Sequence, residues 1–572
     1  MLAFYRMWLF RKARDFLFSR QVDILSAAVV LSGSILVSRV LGLVRDRALA
    51  HYFFGNDISI YFAAFRLPDT LFDVLIMGAL SSAFIPTFIS YISRRKEAEG
   101  WRVAGIAVNL ALLLFLGLAV LVFVFARPFS AVVAPGFNPA EITQMAQLTR
   151  VLLLTQGLFV ISSFLTGILK SYQRFLVPAL APVFYNLSII LGIVFLSKTL
   201  GIYAPAWGAV IGALLHLVIQ LPLAVKLGFR PVGSLDFRHP GVRRIIKLAA
   251  PRVLDLLSNQ LLKASDLFLA SLITTPSYGY LTFAFHLGML PVSLFGFALA
   301  DATLPALSHR AGKREEFRET FFTTFRQIIF LILPAAAALA VLRIPLVRLA
   351  FGAARSTWDS TVLTGYALSL FAIGILGQAL TTYFVRAFYA LSDTLTPMKV
   401  EMTNVVLNIS LSAYAILVLG LPVWGLAASF AFSALIQAAV LGVILARRNG
   451  FSLRDFILPG LRVGAAALVS GLVMYVVLKV FDRSAWDRGL SFLGSFALPD
   501  EWSAFVLDTR YTKNLIMLTG FVGAVGVGVY LLVCRLLGVR ELSIFSQIGR
   551  RITRFRKPIV PAAAEEHEHV HS

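Results

Sequence analysis

A single cysteine, Cys534, in 572 residues rules out an intrachain disulfide and any cysteine-based metal cluster. Acid is also scarce. There are 29 Asp and Glu against 52 Lys and Arg, and all charged residues make up only 14% of the chain, where an ordinary soluble domain carries about 25%. A water-soluble domain is thereby excluded. Catalytic signatures are missing too: there is no P-loop, no Gly-rich dinucleotide motif, no HExxH pair and no loop cluster of carboxylates beside a histidine. The first 21 residues show no signal-peptide cleavage pattern. They mix Phe4, Tyr5, Trp8 and Phe10 with Arg6, Arg11, Lys12 and Arg14, a basic amphipathic segment suited to anionic headgroups.

Hydrophobic residues fill the space left by charge, at 58% with a mean hydropathy of +0.82. Apolar stretches of about 20 residues, enough to cross a hydrocarbon core of about 30 Å, recur between Asp23 and Leu537. The expected fold class is an all-α polytopic membrane protein of about 14 transmembrane helices. The first two spans are placed at 22–43 and 58–92, the seventh at 245–273 and the eighth at 277–308. Lys and Arg gather in alternate connections, as at Arg94–Lys96, Arg243–Arg244 and Arg447–Arg448, which places both termini in the cytoplasm. Two connections break the rule, one with Arg45 and Arg47 and the other with Arg348 and Arg355. The net charge of +23 is spread along membrane-flanking loops, which argues against nucleic acid as a partner.

The chain repeats itself. Ala79-Leu80-Ser81-Ser82-Ala83-Phe84-Ile85-Pro86 matches Ala298-Leu299-Ala300-Asp301-Ala302-Thr303-Leu304-Pro305, and Pro205-Ala206-Trp207-Gly208 matches Pro422-Val423-Trp424-Gly425. Six spans per copy give both copies the same orientation, so two six-helix lobes in parallel repeat are expected, at 22–228 and 241–447. Two further transmembrane helices occupy 458–537, and a basic cytoplasmic tail runs from 538 to 572.

Ionisable groups inside spans are costly and mark function by default. Arg39, Arg45 and Asp46 fall in or just after the first span, and Arg66, Asp69 and Asp73 share one helix face near Pro68 in the second. Arginine presents a planar fork of donors that grips phosphate oxygens, so these residues suit a polyanion such as a diphosphate. Pairing of Arg45 with Asp46, and of Arg66 with Asp69, is the plainer alternative. Further along, Asp266, Asn404 and Asn408 offer the oxygen atoms that a sodium ion needs. Hydrogen bonding between helices accounts for the asparagines equally well, and Lys263 stands at i−3 from Asp266, where the two can pair.

The run from Ser38 to Asp46, with Phe65-Arg66-Leu67-Pro68, the 78–86 motif, Arg174-Phe175 and Arg386-Ala387-Phe388-Tyr389-Ala390, resembles the MurJ/MviN family of lipid II flippases in the MOP exporter superfamily. The resemblance spans about residues 22–450. It implies a transporter, not an enzyme, that carries lipid II, an undecaprenyl-diphosphate-linked disaccharide-pentapeptide, from the inner to the outer leaflet of the cytoplasmic membrane by alternating access. It also implies that Arg39 and Arg45 engage the diphosphate in a cavity, and that sodium, mapped to Asp266, Asn404 and Asn408, or the membrane potential supplies coupling. Membrane lipids and cell-wall synthesis proteins are the further partners expected. Three positions depart from the family pattern. Phe72 and His286 stand where arginines are usual, and Met77 where an acid is usual; His286 remains a substrate-binding candidate because protonation restores the charge. Export of another polyprenyl-linked glycan, multidrug-type antiport and a scaffold that keeps the fold are the competing readings.

Overall fold

The computed structural model describes residues 24–77, 80–230, 234–352, 357–483 and 505–542. The amphipathic start, Gly78-Ala79, Arg355, most of the external loop after Asp482 and most of the basic tail lie outside the described residues. What is described is helical, with no strand beyond one isolated bridge between Asp482 and Leu507.

In chain order the helices are α1 (Ile24–Tyr52), α2 (Gly55–Ala64), α3 (Arg66–Phe72), α4 (Ile85–Ser93), α5 (Glu97–Val124), α6 (Ala126–Val133), α7 (Pro139–Ser171), α8 (Leu176–Leu200), α9 (Tyr203–Lys226) and α10 (Pro240–Ile273). There follow α11 (Ser277–Gly288), α12 (Phe297–His309), α13 (Arg314–Val341), α14 (Arg343–Phe351), α15 (Trp358–Ala390), α16 (Leu395–Ala413), α17 (Trp424–Asn449), α18 (Leu453–Phe481) and α19 (Thr512–Leu536). Among the described residues, 11 helices are long and apolar enough to cross a membrane. Three more charged helical stretches, 24–52, 55–77 with 80–93, and 240–273, bring the count into rough agreement with the expected number. The first helix continues to Tyr52 rather than stopping at 43. Arg45, Asp46 and Arg47 are therefore part of a helix, not a connection, because each finds a partner there.

The repeat is written in the backbone. Helices α5 and α13 both have 28 residues, and α7 and α15 both have 33. Wide π-type turns occupy Asp73–Met77 and Val292–Gly296, with the same spacing of 219. Left-handed conformations come in pairs at that spacing: Gln173 (φ 58°) with Ser392 (φ 60°), and Gly201 (φ 53°) with Gly420 (φ 61°). Glycine bears such a φ without steric cost, so the two short turns closing α8 and the α16 segment are sequence-encoded. Among the prolines, Pro86 follows a π turn and Pro291 precedes one, while Pro68 and Pro305 lie within helices.

Contact divides the chain into two compact units. The first comprises the residues up to Leu290 with Leu342–Thr381 and Asp393–Leu441. Its core includes Phe84, Phe88 and Phe164 with Trp101 and Tyr172 against them. At the start of α7, Asn138 Oδ1 accepts from the backbone N–H of Ala140 and Glu141, each at 3.0 Å, and Glu141 Oε2 accepts from Asn138 N at 3.0 Å. That reciprocal cap satisfies helix donors that would otherwise be unmade. Glu141 also accepts from Asn56 Nδ2 at 3.2 Å and Thr275 Oγ1 at 2.9 Å, tying three connections together. Glu141→Ala is expected to cost about 1–2 kcal/mol, read as a lower melting temperature in detergent; an unchanged melting curve would show that the cap and ties are redundant.

The second unit holds Pro291–Val341, Thr382–Ser392 and the chain from Gly442 onward. Phe321 is surrounded there by Tyr383, Phe384, Phe451 and Phe456. The two added helices, α18 and α19, are fastened to α13: Arg318 pairs with Asp455 at 2.7 Å, Tyr530 Oη donates to the Phe330 carbonyl at 2.7 Å, and Arg326 pairs with Glu541 at 2.8 Å.

Candidate functional site

The first unit contains a charged centre that helix α1 builds from consecutive residues. Arg45 Nε and Nη2 both donate to Asp46 Oδ1, at 3.0 and 2.8 Å. The other carboxylate oxygen, Oδ2, accepts from His286 Nδ1 of α11 at 2.8 Å. Asp46 is buried at 1% exposure, so the donors on its two oxygens supply what water cannot. The Arg45 side chain retains 21% exposure and that of His286 35%. Arg45 Nη1 reaches Asn186 Oδ1 of α8 at 3.3 Å, and Asn186 Nδ2 in turn donates to Ser38 Oγ at 3.3 Å and to the Pro182 carbonyl at 3.2 Å. Phe62 meets the His286 ring edge to face. The result is a cationic fork fixed by Asp46 and Asn186, with the His286 ring on the far side of the same carboxylate.

Of the residues singled out by sequence, the structure brings Arg45, Asp46 and His286 together. Arg39 lies on α1 and is exposed. Arg66 belongs to a different cluster, where Nη2 stands 3.7 Å from Asp69 and its charge also interacts with Asp73 and Asp266. Lys263 does not pair with Asp266 at i+3; it stands 3.8 Å from Asp73, across helices. Arg47 donates to the carbonyl of Leu349 on α14. The two arginine-bearing stretches that broke the charge rule thus meet each other, Arg47 serving as a donor that closes α14 onto α1.

For a cation site, Asn404 Oδ1 is buried without a hydrogen-bond partner, as a ligand oxygen would be. Asn408 is engaged through Nδ2 with Ser433 Oγ at 2.9 Å, which leaves its carbonyl oxygen as the donor atom for an ion. Asp266 interacts with Arg66, which competes for its charge. Asn186, Gln156 and Gln260 were not evident from sequence. The signal available was an amide within an otherwise apolar helix, and that pattern serves structural hydrogen bonds just as often.

His286→Arg is expected to keep the contact to Asp46 and preserve activity, whereas His286→Leu leaves one oxygen of a buried carboxylate without its hydrogen-bond partner and should reduce activity at least tenfold. The readout is growth of a strain depleted of its own copy of this protein, at matched protein levels, and full rescue by His286→Leu would remove His286 from the site.

A many-helix membrane bundle with permanent charge held inside it is the architecture of a transporter. The profile of the family described as Lipid II flippase MurJ matches residues 49–496. The chain belongs to that family, and it is a multi-pass inner-membrane protein. It is similar to the probable lipid II flippase MurJ of Vibrio cholerae, with 28% identity over 90% of this chain and 97% of that one. The lipid II flippase MurJ of Burkholderia cenocepacia shares 27% identity over 81% and 91% of the respective chains. Among solved structures, a lipid II flippase MurJ in an inward closed conformation covers 89% of this chain and 98% of its own at a TM-score of 0.72 and 22% identity. An inward-facing multidrug resistance MATE family transporter of the MOP superfamily covers 74% and 98% at a TM-score of 0.63 and 16% identity. The fold expected from sequence is therefore present.

Proposed function

We propose that this chain flips lipid II from the inner to the outer leaflet of the cytoplasmic membrane by alternating access. The observation that carries the reading is Arg45, a permanent cation kept inside the bundle by Asp46 and Asn186, in a chain whose family is named for that substrate. Asp46 holds the guanidinium fork in one orientation, the Arg45 side chain keeps 21% exposure, and Arg39 is exposed on the same helix. A diphosphate reaching Arg45 and Arg39 exchanges its hydration for charge-assisted hydrogen bonds. Rearrangement of the two six-helix repeats, 22–228 and 241–447, then presents it to the other side, with both termini remaining in the cytoplasm. Asn404 and Asn408, with Asp266, would hold a sodium ion where one couples the cycle, and the membrane potential is the other source of drive. Membrane lipids and cell-wall synthesis proteins are the further partners of this reading.

A second reading, multidrug-type antiport of an amphiphilic cation, is favoured by the carboxylates Asp69, Asp73 and Asp266, which outnumber the cations Arg66 and Lys263 beside them. Rescue of a lipid II flippase-null strain separates the two. The wild-type chain is expected to restore growth and to restore lipid II on the outer face, measured by its accessibility to an added degrading enzyme. A well-expressed chain that restores neither would overturn the lipid II assignment.

A further inference from the structure

Apart from the Arg45 centre, the first unit holds a second charged cluster, built from α3, the turn that follows it, and α10. Three carboxylates, Asp69, Asp73 and Asp266, share it with two cations, Arg66 and Lys263. The ion pairs are loose: Arg66 Nη2 to Asp69 Oδ2 is 3.7 Å and Lys263 Nζ to Asp73 Oδ2 is 3.8 Å, both beyond hydrogen-bond length. Neutral amides hold the close positions instead. Gln156 Nε2 donates to Asp69 Oδ1 at 2.5 Å, and Gln260 Nε2 to Asp73 Oδ2 at 2.6 Å. Arg66 Nε and Nη1 are buried and have no partner at all.

A buried guanidinium with two unmade N–H groups carries the desolvation cost of charge without the compensating bonds. Those donors call for an oxyanion. A diphosphate fits poorly, because three carboxylates surround the place it would take; an amine alone fits poorly too, because it leaves Arg66 unmade. A group bearing both charges meets both demands. We propose that this cluster binds a zwitterionic, amino-acid-like group, its carboxylate taking the free donors of Arg66 and its ammonium lying between Asp69 and Asp73. Resting on the lipid-linked precursor reading above, the group is assigned to the peptide part of that substrate, which places the diphosphate and the peptide at separate charged centres.

The test uses the full chain in phosphatidylglycerol nanodiscs and two probes: the polyprenyl-diphosphate disaccharide with its peptide, and the same molecule without it. Wild type is expected to bind the complete probe at least tenfold more tightly. Asp69→Asn/Asp73→Asn should lose that difference while keeping its affinity for the peptide-free probe. Asp73→Asn alone, which preserves an acceptor for Gln260, serves as the milder variant if the double one is not monodisperse. Equal binding of both probes by wild type, or a parallel loss for both in the variant, would overturn the zwitterion site and leave the flippase reading standing. Binding of neither probe by a folded wild type would sink both. Repeating the comparison with phosphatidylethanolamine present distinguishes a lipid headgroup: if the peptide-dependent difference disappears only then, the zwitterion bound is the lipid and the peptide assignment falls.

Discussion

Arg45→Ala is expected to abolish rescue of a flippase-null strain while the protein still reaches the membrane at reduced abundance. The substitution removes both donors from Asp46 Oδ1 and the donor to Asn186, leaving a carboxylate at 1% exposure with His286 as its remaining side-chain partner. Breaking one side of a buried pair typically costs about 3–5 kcal/mol, enough to lower the yield of folded protein. Arg45→Lys separates stability from function, because lysine keeps the charge but not the fork. It should recover most of the abundance and little of the rescue. Full rescue by Arg45→Ala at wild-type abundance would show that the fork has no part in transport.

Gly377→Ala is expected to be among the most disruptive single-methyl additions in the first unit. A Cβ at that position would lie 2.5 Å from the carbonyl carbon of Ala434 and 2.6 Å from its oxygen, with Gly374 in similar contact one turn earlier against Ala431. Those neighbours are backbone and cannot rotate away, so α15 and α17 must separate. Overpacking of this kind costs about 1–3 kcal/mol, and small residues are what let membrane helices approach so closely. Gly520→Ala, whose Cβ meets nothing within 4 Å, is the control and should melt with the wild type. A Gly377→Ala protein that melts at the wild-type temperature would mean that the two helices part at no cost.

Most of the fold is legible in the sequence because membrane crossing is a local property of about 20 residues, and because the repeat leaves matching Pro, Trp and Gly marks. The charged segments were harder. Arg45, Asp46 and Arg47 look like a loop when their neighbours are unknown, yet α1 carries all three to Tyr52 because Asp46, Asn186 and the Leu349 carbonyl receive them. Local spacing also misdirects Lys263 toward Asp266, when its partner is Asp73 on a distant stretch of chain. A carbonyl acceptor such as that of Leu349 has no side-chain signature, and Asn186 is one amide among many. Sequence identifies which residues carry charge; only the fold decides which charges meet.

That pairing also has a bearing on how the chain is made. The segment Pro240–Ile273 carries Arg243, Arg244, Lys247, Arg252, Asp255, Lys263 and Asp266, and single charges near a helix centre oppose insertion by about 2.5–3.5 kcal/mol each. Presented alone to the insertion machinery, it is a poor membrane span. Its counter-charges, Arg66 and Asp73, are synthesised nearly two hundred residues earlier and are already in the bilayer when it emerges from the ribosome. The first repeat therefore supplies the counter-charges that offset the cost of holding the opening helix of the second in a bilayer.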